Sequence, residues 1–121
     1  MATIDITAST FEETIENNEI VIVDFWAEWC GPCKSFAPIY EEVSNDYEDV
    51  VFGKIDTEAE QELATHFQIR SIPTLMIFRE QVVLYSQAGM LNNSQLKEVI
   101  EQVKSIDMAE VHAEIAKQAD E

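Results

Sequence analysis

Glycine and proline are scarce in this 121-residue chain, three of each, and only seven Lys and Arg stand against 24 Asp and Glu. So little glycine and proline excludes collagen-like and low-complexity chains. A formal net charge of −17 excludes nucleic acid as a partner, because phosphate backbones repel such a surface, and it excludes an anionic membrane surface for the same reason. The charge instead favours a soluble monomer. No run approaches the roughly 20 apolar residues of a membrane-spanning helix. The opening MATIDITAST lacks a basic stretch followed by an apolar one, so a secretory signal is not expected. With only two cysteines, a disulfide framework of the kind that staples small secreted domains is excluded as well. Two thiols close together, with no signal, point to redox chemistry or metal binding in a reducing, cytoplasmic compartment.

What is present is a core-forming chain, 46% hydrophobic, of a length that suits one domain. Thr3 to Ile6 alternates and predicts an edge strand. Thr10-Phe11-Glu12-Glu13 has the form of a capping box, with Phe11 and Ile15 on one helical face and Asn17-Asn18 as the stop. Ile20 to Trp26 is apolar on both alternations, the pattern of a central strand buried on both faces. A helix follows from about Pro32, carrying Phe36, Ile39, Tyr40, Val43 and Tyr47, with Pro38 inside it and expected to bend it. Val50 to Ile55 predicts a strand, and Thr57-Glu58-Ala59-Glu60 a second capping box that opens a helix through Phe67. Pro73 begins the strand Thr74 to Phe78, which turns through Arg79-Glu80-Gln81 into Val82 to Ser86. That turn has no glycine or asparagine, so a wider turn than two residues is expected. After Gly89, a helix begins at Asn93 or Ser94. Strands alternating with helices and ending in a hairpin predict an α/β fold: a central mixed β-sheet flanked by helices on both faces. The division expected is a domain over residues 1–105 and an acidic C-terminal helical extension over 106–121, with Met108, Val111 and Ile115 on one stripe.

The chemistry concentrates in Cys30 and Cys33, the only cysteines. On the first turn of a helix, residues three apart meet the Cα spacing a disulfide needs, roughly 4.4–6.8 Å. Such a bond closes almost no loop, so its value is chemical rather than structural. Cys30, at the helix start, meets unpaired N–H groups that favour a thiolate and is expected to be the exposed nucleophile. Cys33, one turn in, is expected to be buried and protonated. Cys30 then attacks a substrate disulfide, and Cys33 attacks Cys30 to release the reduced product. Asp24, inside a strand buried on both faces, is expected to have a raised pKa. It either exchanges a proton with Cys33 or is a strand-end carboxylate reaching solvent or capping an amide. Lys54, on the neighbouring strand, either pairs with Asp24 or is an exposed edge lysine. Zinc needs four ligands, and two cysteines with His66 and His112 match no finger spacing, so neither a metal nor a bound cofactor is expected.

Asp24-Phe25-Trp26-Ala27-Glu28-Trp29-Cys30-Gly31-Pro32-Cys33-Lys34, followed by Ala37-Pro38, Lys54-Ile55-Asp56, Arg70-Ser71-Ile72-Pro73-Thr74 and Ala88-Gly89, resembles the thioredoxin family over residues 3 to 105. The resemblance implies the thioredoxin fold and protein-disulfide reduction, with Cys30 attacking and Cys33 resolving. It implies proton exchange by Asp24, with Lys54 beside it. It further implies a cis Ile72-Pro73 bond and a substrate-docking rim formed by Trp29, Gly31, Pro32, Ile72, Pro73 and Gly89. The Gly31-Pro32 pair, with no histidine next to the second cysteine, resembles the reductases of the family. Disulfide-containing proteins are then the expected substrates, and a thioredoxin reductase drawing on NADPH the expected electron source. The alternative is a thioredoxin-like partner-binding or chaperone-like module with secondary redox activity, which the extension would serve.

Overall fold

The computed structural model describes residues 3–119. Its elements run β1 (Thr3–Asp5), α1 (Ala8–Asn17), β2 (Ile20–Trp26), α2 (Gly31–Ser44), β3 (Val51–Asp56), α3 (Gln61–His66), β4 (Thr74–Arg79), β5 (Val82–Ala88), α4 (Asn93–Ser105) and α5 (Met108–Ala119). The strands form one five-stranded sheet in the order β1-β3-β2-β4-β5. β3 runs parallel to β1 and β2, whereas β4 is antiparallel to β2 and β5. The expected mixed sheet between helices is therefore observed, with β2 at its centre.

Because successive residues of a strand face opposite ways, β2 splits its apolar run between two cores. Ile20 and Ile22 join Phe36, Tyr40, Phe52, Leu96 and Ile100 beneath α2 and α4. Val21, Val23 and Phe25 join Ile15, Ile55 and Phe78 on the α1 and α3 side. Fully burying each such side chain is worth about 1.5–3 kcal/mol, which makes β2 the strand the fold can least spare. The same alternation fixes the site. Asp24 follows Ile20 and Ile22 onto the α2 face, and Lys54 follows Phe52 onto it from β3. Gly53, between them, has no room for a side chain, since Ile6 fills the space a Cβ would take.

Of the two expected capping boxes, the first is displaced and the second is not formed. α1 starts one turn earlier than Thr10, with Thr7 as its cap, and Thr7 N–H donates to Thr10 Oγ1 at 3.0 Å. A distant group completes that start, because Ala8 N–H donates to Glu60 Oε1 at 2.8 Å. Glu60, not Thr57, holds the N-cap position of α3 and makes no side-chain cap bond there, while the Thr57 hydroxyl donates to the Trp26 carbonyl at 3.0 Å. Asp56 shapes the intervening turn by accepting from Glu58 N–H at 2.9 Å. Pro38 lies within α2, which continues through it to Ser44, short of Tyr47.

The β4–β5 turn is tighter than expected. Arg79 pairs directly with Val82, and the two residues between, Glu80 and Gln81, take φ of 50° and 70°. A left-handed conformation costs a non-glycine residue roughly 1–2 kcal/mol. Neighbours hold the turn: Glu80 N–H donates to the Glu19 carbonyl at 2.8 Å, and Glu80 Oε1 lies 2.9 Å from His112 Nε2. Arg79 Nη1 reaches the carbonyls of Val103, Lys104 and Ile106 at 2.9, 3.1 and 2.9 Å, tying β4 to the α4–α5 junction. The expected C-terminal extension is thus a helix, α5, anchored at its start by buried Met108; residues 1–2 and 120–121, which the expected divisions also included, lie outside the described residues.

Candidate active site

Local sequence makes the start of α2 an unusual helix end. Cys30 is its N-cap, and Pro32 sits in the first turn, where an absent N–H costs no helical bond. In place of the usual oxygen, the Cys30 sulfur accepts the first-turn amide, Cys33 N–H, at 3.2 Å. The two sulfurs form a disulfide with Cα atoms 5.2 Å apart, so the structure is of the oxidised form.

One expectation about the pair is corrected. Cys30 was expected to be exposed and Cys33 buried, but each is only 4% exposed. Both cysteines form a buried cluster with Ala27, against which Trp26 and Ile72 pack. The difference between the sulfurs lies in what surrounds them. Cys30 Sγ is 3.7 Å from the Ile72 carbonyl oxygen, on the rim side. Cys33 lines a cavity of about 120 Å³ with Asp24, Trp26, Ala27, Ala37 and Lys54, and exposed Glu28 and Lys34 complete its lining on the solvent side. Alanines at positions 27 and 37 leave that space open.

Asp24 is 1% exposed, and its Oδ1 has no hydrogen-bond partner. Burial pushes its carboxyl up from 3.8 to about 7, while the charge of Lys54 pulls it down. Asp24 and Lys54 are direct partners in the β2–β3 register. Lys54 is half-buried, with Nζ 5.1 Å from the centre of the Trp26 ring, so an aromatic face as well as a carboxylate attracts it. The cavity is large enough for water, which needs about 10–15 Å³, and it brings a carboxyl near neutrality close to the inner sulfur.

The rim is built from three loops. Ile72-Pro73 is cis, and Gly89 N–H donates to the Pro73 carbonyl at 2.8 Å, holding the loop after β5 against the loop before β4. Gly89 has φ of 100°, a conformation that strains other residues. Trp29 is 69% exposed, and Gly31 and Pro32 are also exposed beside it. Sequence reading missed Glu58, which accepts the indole N–H of Trp29. It lies 29 residues away, and nothing local marks it. Among the described residues no three His, Cys, Asp or Glu gather to hold a metal ion, and no helix is long and apolar enough to cross a membrane.

The family model for thioredoxin matches residues 2–102. This chain belongs to the thioredoxin family. Curated thioredoxins agree: one from Buchnera aphidicola is 42% identical over 101 residues, covering 82% of this chain and 94% of its own length. A Streptomyces coelicolor protein that carries a thioredoxin name is 51% identical over 117 residues, 97% of this chain and 87% of that one. Among solved structures, Plasmodium falciparum thioredoxin superposes with a TM-score of 0.76 at 41% identity, over 83% of this chain and 97% of its own. A mutant thioredoxin from Halobacterium salinarum reaches 0.79 at 27% identity, over 87% and 93%. With a disulfide-forming Cys30–Cys33 pair at the head of α2, this thioredoxin is a dithiol–disulfide oxidoreductase.

Proposed function

We propose that this thioredoxin acts as a reductase of protein disulfides in the cytoplasm, recharged by a thioredoxin reductase that draws on NADPH, with no cofactor of its own. In the reduced form, the Cys33 amide and the start of α2 favour a thiolate on Cys30. That thiolate attacks one sulfur of a substrate disulfide, forming a mixed disulfide and expelling the other sulfur as a thiolate, which takes up a proton. Cys33 gives its proton to Asp24, directly or through one water, and attacks Cys30. The Cys30–Cys33 disulfide forms, and the substrate leaves with both sulfurs reduced. Lys54 tempers the rise in the Asp24 pKa, so that the carboxylate is available near neutral pH. Trp29, Gly31, Pro32, Ile72, Pro73 and Gly89 form the docking rim, where backbone groups of Ile72 meet an extended peptide.

The observation that carries this reading is the cavity shared by Asp24 and Cys33. A carboxyl lining the same cavity as the inner thiol supports its role as the base. The test is insulin-disulfide reduction driven by NADPH and a thioredoxin reductase, comparing the native chain with Cys33→Ser. Native turnover is expected, and the variant should stop at a mixed disulfide on Cys30. Undiminished turnover without Cys33 would overturn the resolving role.

A further inference from the structure

A groove of about 860 Å³ runs between β5 and α5, away from the dithiol. Its apolar lining is Val82, Val83 and Leu84 from β5, and Ile106, Val111 and Ile115 from the junction and α5. Leu84 packs against the core as well, whereas Val83 beside it is exposed. β5 is the last strand in the sheet order, and only Met108 of α5 is buried. Val83 and Ile115, two large apolar side chains of the lining, remain 43% and 44% exposed.

Charge decides what such a groove accepts. Asp107, Glu110 and Glu114 edge it, opposed by Lys117 alone, on a chain of net charge −17. A second copy of the chain would bring the same acidic rim and the same net charge, which opposes self-association. An apolar segment flanked by Lys or Arg meets both the floor and the rim. The β4–β5 ladder is irregular at this point: Phe78 pairs with Val83 and Ile77 with Tyr85, leaving Leu84 as an extra residue. A bulge on an edge strand blunts strand addition, so recognition here falls to side chains, as when an amphipathic helix lies in a groove.

We propose that the groove between β5 and α5 is a docking site for a basic, amphipathic segment of a partner protein. The site is separate from the dithiol rim. Val82 and Ala88 mark opposite ends of β5, and six residues of strand span about 20 Å. It also lies partly outside the family domain, since the family model ends at residue 102, while the alignment with the Streptomyces coelicolor relative covers 97% of the chain and so takes in most of α5.

The experiment titrates the full chain with a fluorescein-labelled amphipathic peptide of leucine and lysine about 15 residues long, long enough to form a helix. Anisotropy and backbone amide spectra report binding. Binding is expected to weaken with salt and to perturb residues 82–84 and 106–117. The exposed-residue double variant Val83→Ser with Ile115→Ser should weaken it about tenfold or more, the scale of a lost apolar anchor, and still reduce insulin at the native rate. Because serine could loosen α5, Glu110→Gln with Glu114→Gln is the second variant; it removes charge alone and should weaken binding several-fold with a shallower salt dependence. Perturbations centred on the dithiol rim, equal binding of a leucine–glutamate peptide, or indifference to both double variants would overturn the proposal. So would concentration-dependent shifts of the same residues without peptide, which would give the groove to a second copy.

Discussion

Asp24 and Lys54 are direct register partners across the parallel pair β2–β3, and both line the cavity that Cys33 also lines. A carboxylate in that position is stabilised by one half-buried ammonium group and destabilised by burial, and burial wins. The linkage has a definite sign. Between pH 3.8 and about 7 the unfolded chain has released the Asp24 proton and the folded chain has kept it, so folding stability falls as pH rises through that window.

The first expectation is therefore a stability gain from Asp24→Asn that depends on pH. The full shift, from 3.8 to about 7, corresponds to roughly 4 kcal/mol above pH 7 at about 1.4 kcal/mol per unit. Urea denaturation of the native chain and the variant at pH 4 and pH 8 checks it. The two should nearly coincide at pH 4, and the variant should be more stable by a few kcal/mol at pH 8. A difference independent of pH would show that Asp24 is not the group responsible.

The same variant should lose catalytic competence where it gains stability. Release of product from a mixed disulfide on Cys30 is expected to speed up with pH through about 7, as Asp24 becomes a base. In Asp24→Asn that inflection should vanish, with the step slower at pH 7 by about 10- to 100-fold. Stopped-flow tryptophan fluorescence reads the step directly, since Trp29 immediately precedes Cys30.

The β4–β5 turn offers a gain with no functional cost. Gln81 has φ of 70°. Gln81→Gly removes the Cβ conflict of that conformation and should add about 1 kcal/mol, seen as a rise in the urea midpoint with unchanged slope. It leaves insulin reduction unaltered.

Arg79 has the opposite expectation. Its Nη1 reaches three backbone carbonyls at the α4–α5 junction. Arg79→Met keeps the apolar stem and removes those bonds, at a cost of about 2–3 kcal/mol. Hydrogen exchange should show the loss concentrated in residues 103–112, with β2 and the start of α2 protected as before.

Much of this architecture could be read from residues alone, for local reasons. β2 declares itself because both of its faces are apolar, and that same pattern makes Asp24 conspicuous. Cys30, Cys33 and Pro32 mark a helix start by spacing. The Asp24–Lys54 pairing follows from strand order, once β3 is placed beside β2. What could not be read depends on groups distant in sequence. Glu60 completes the start of α1, Asp56 sets the turn before α3, Glu58 holds the Trp29 indole, and Ile72 packs against the buried cluster of the cysteines. The tight turn at Glu80 and Gln81 was missed for the same reason: the bonds that hold Glu80 in it run to Glu19 and His112, both distant in sequence.

Cys30 and Cys33 are equally buried, yet the mechanism requires them to differ in chemistry. Alkylation of the fully reduced protein by iodoacetamide, followed by mass spectrometry across pH 5 to 9, measures that difference most directly. Cys30 should be modified first, through a thiolate that appears well below the ordinary thiol value of about 8.5, while Cys33 reacts slowly throughout. Equal rates at both sulfurs, or Cys33 modified first, would contradict the account.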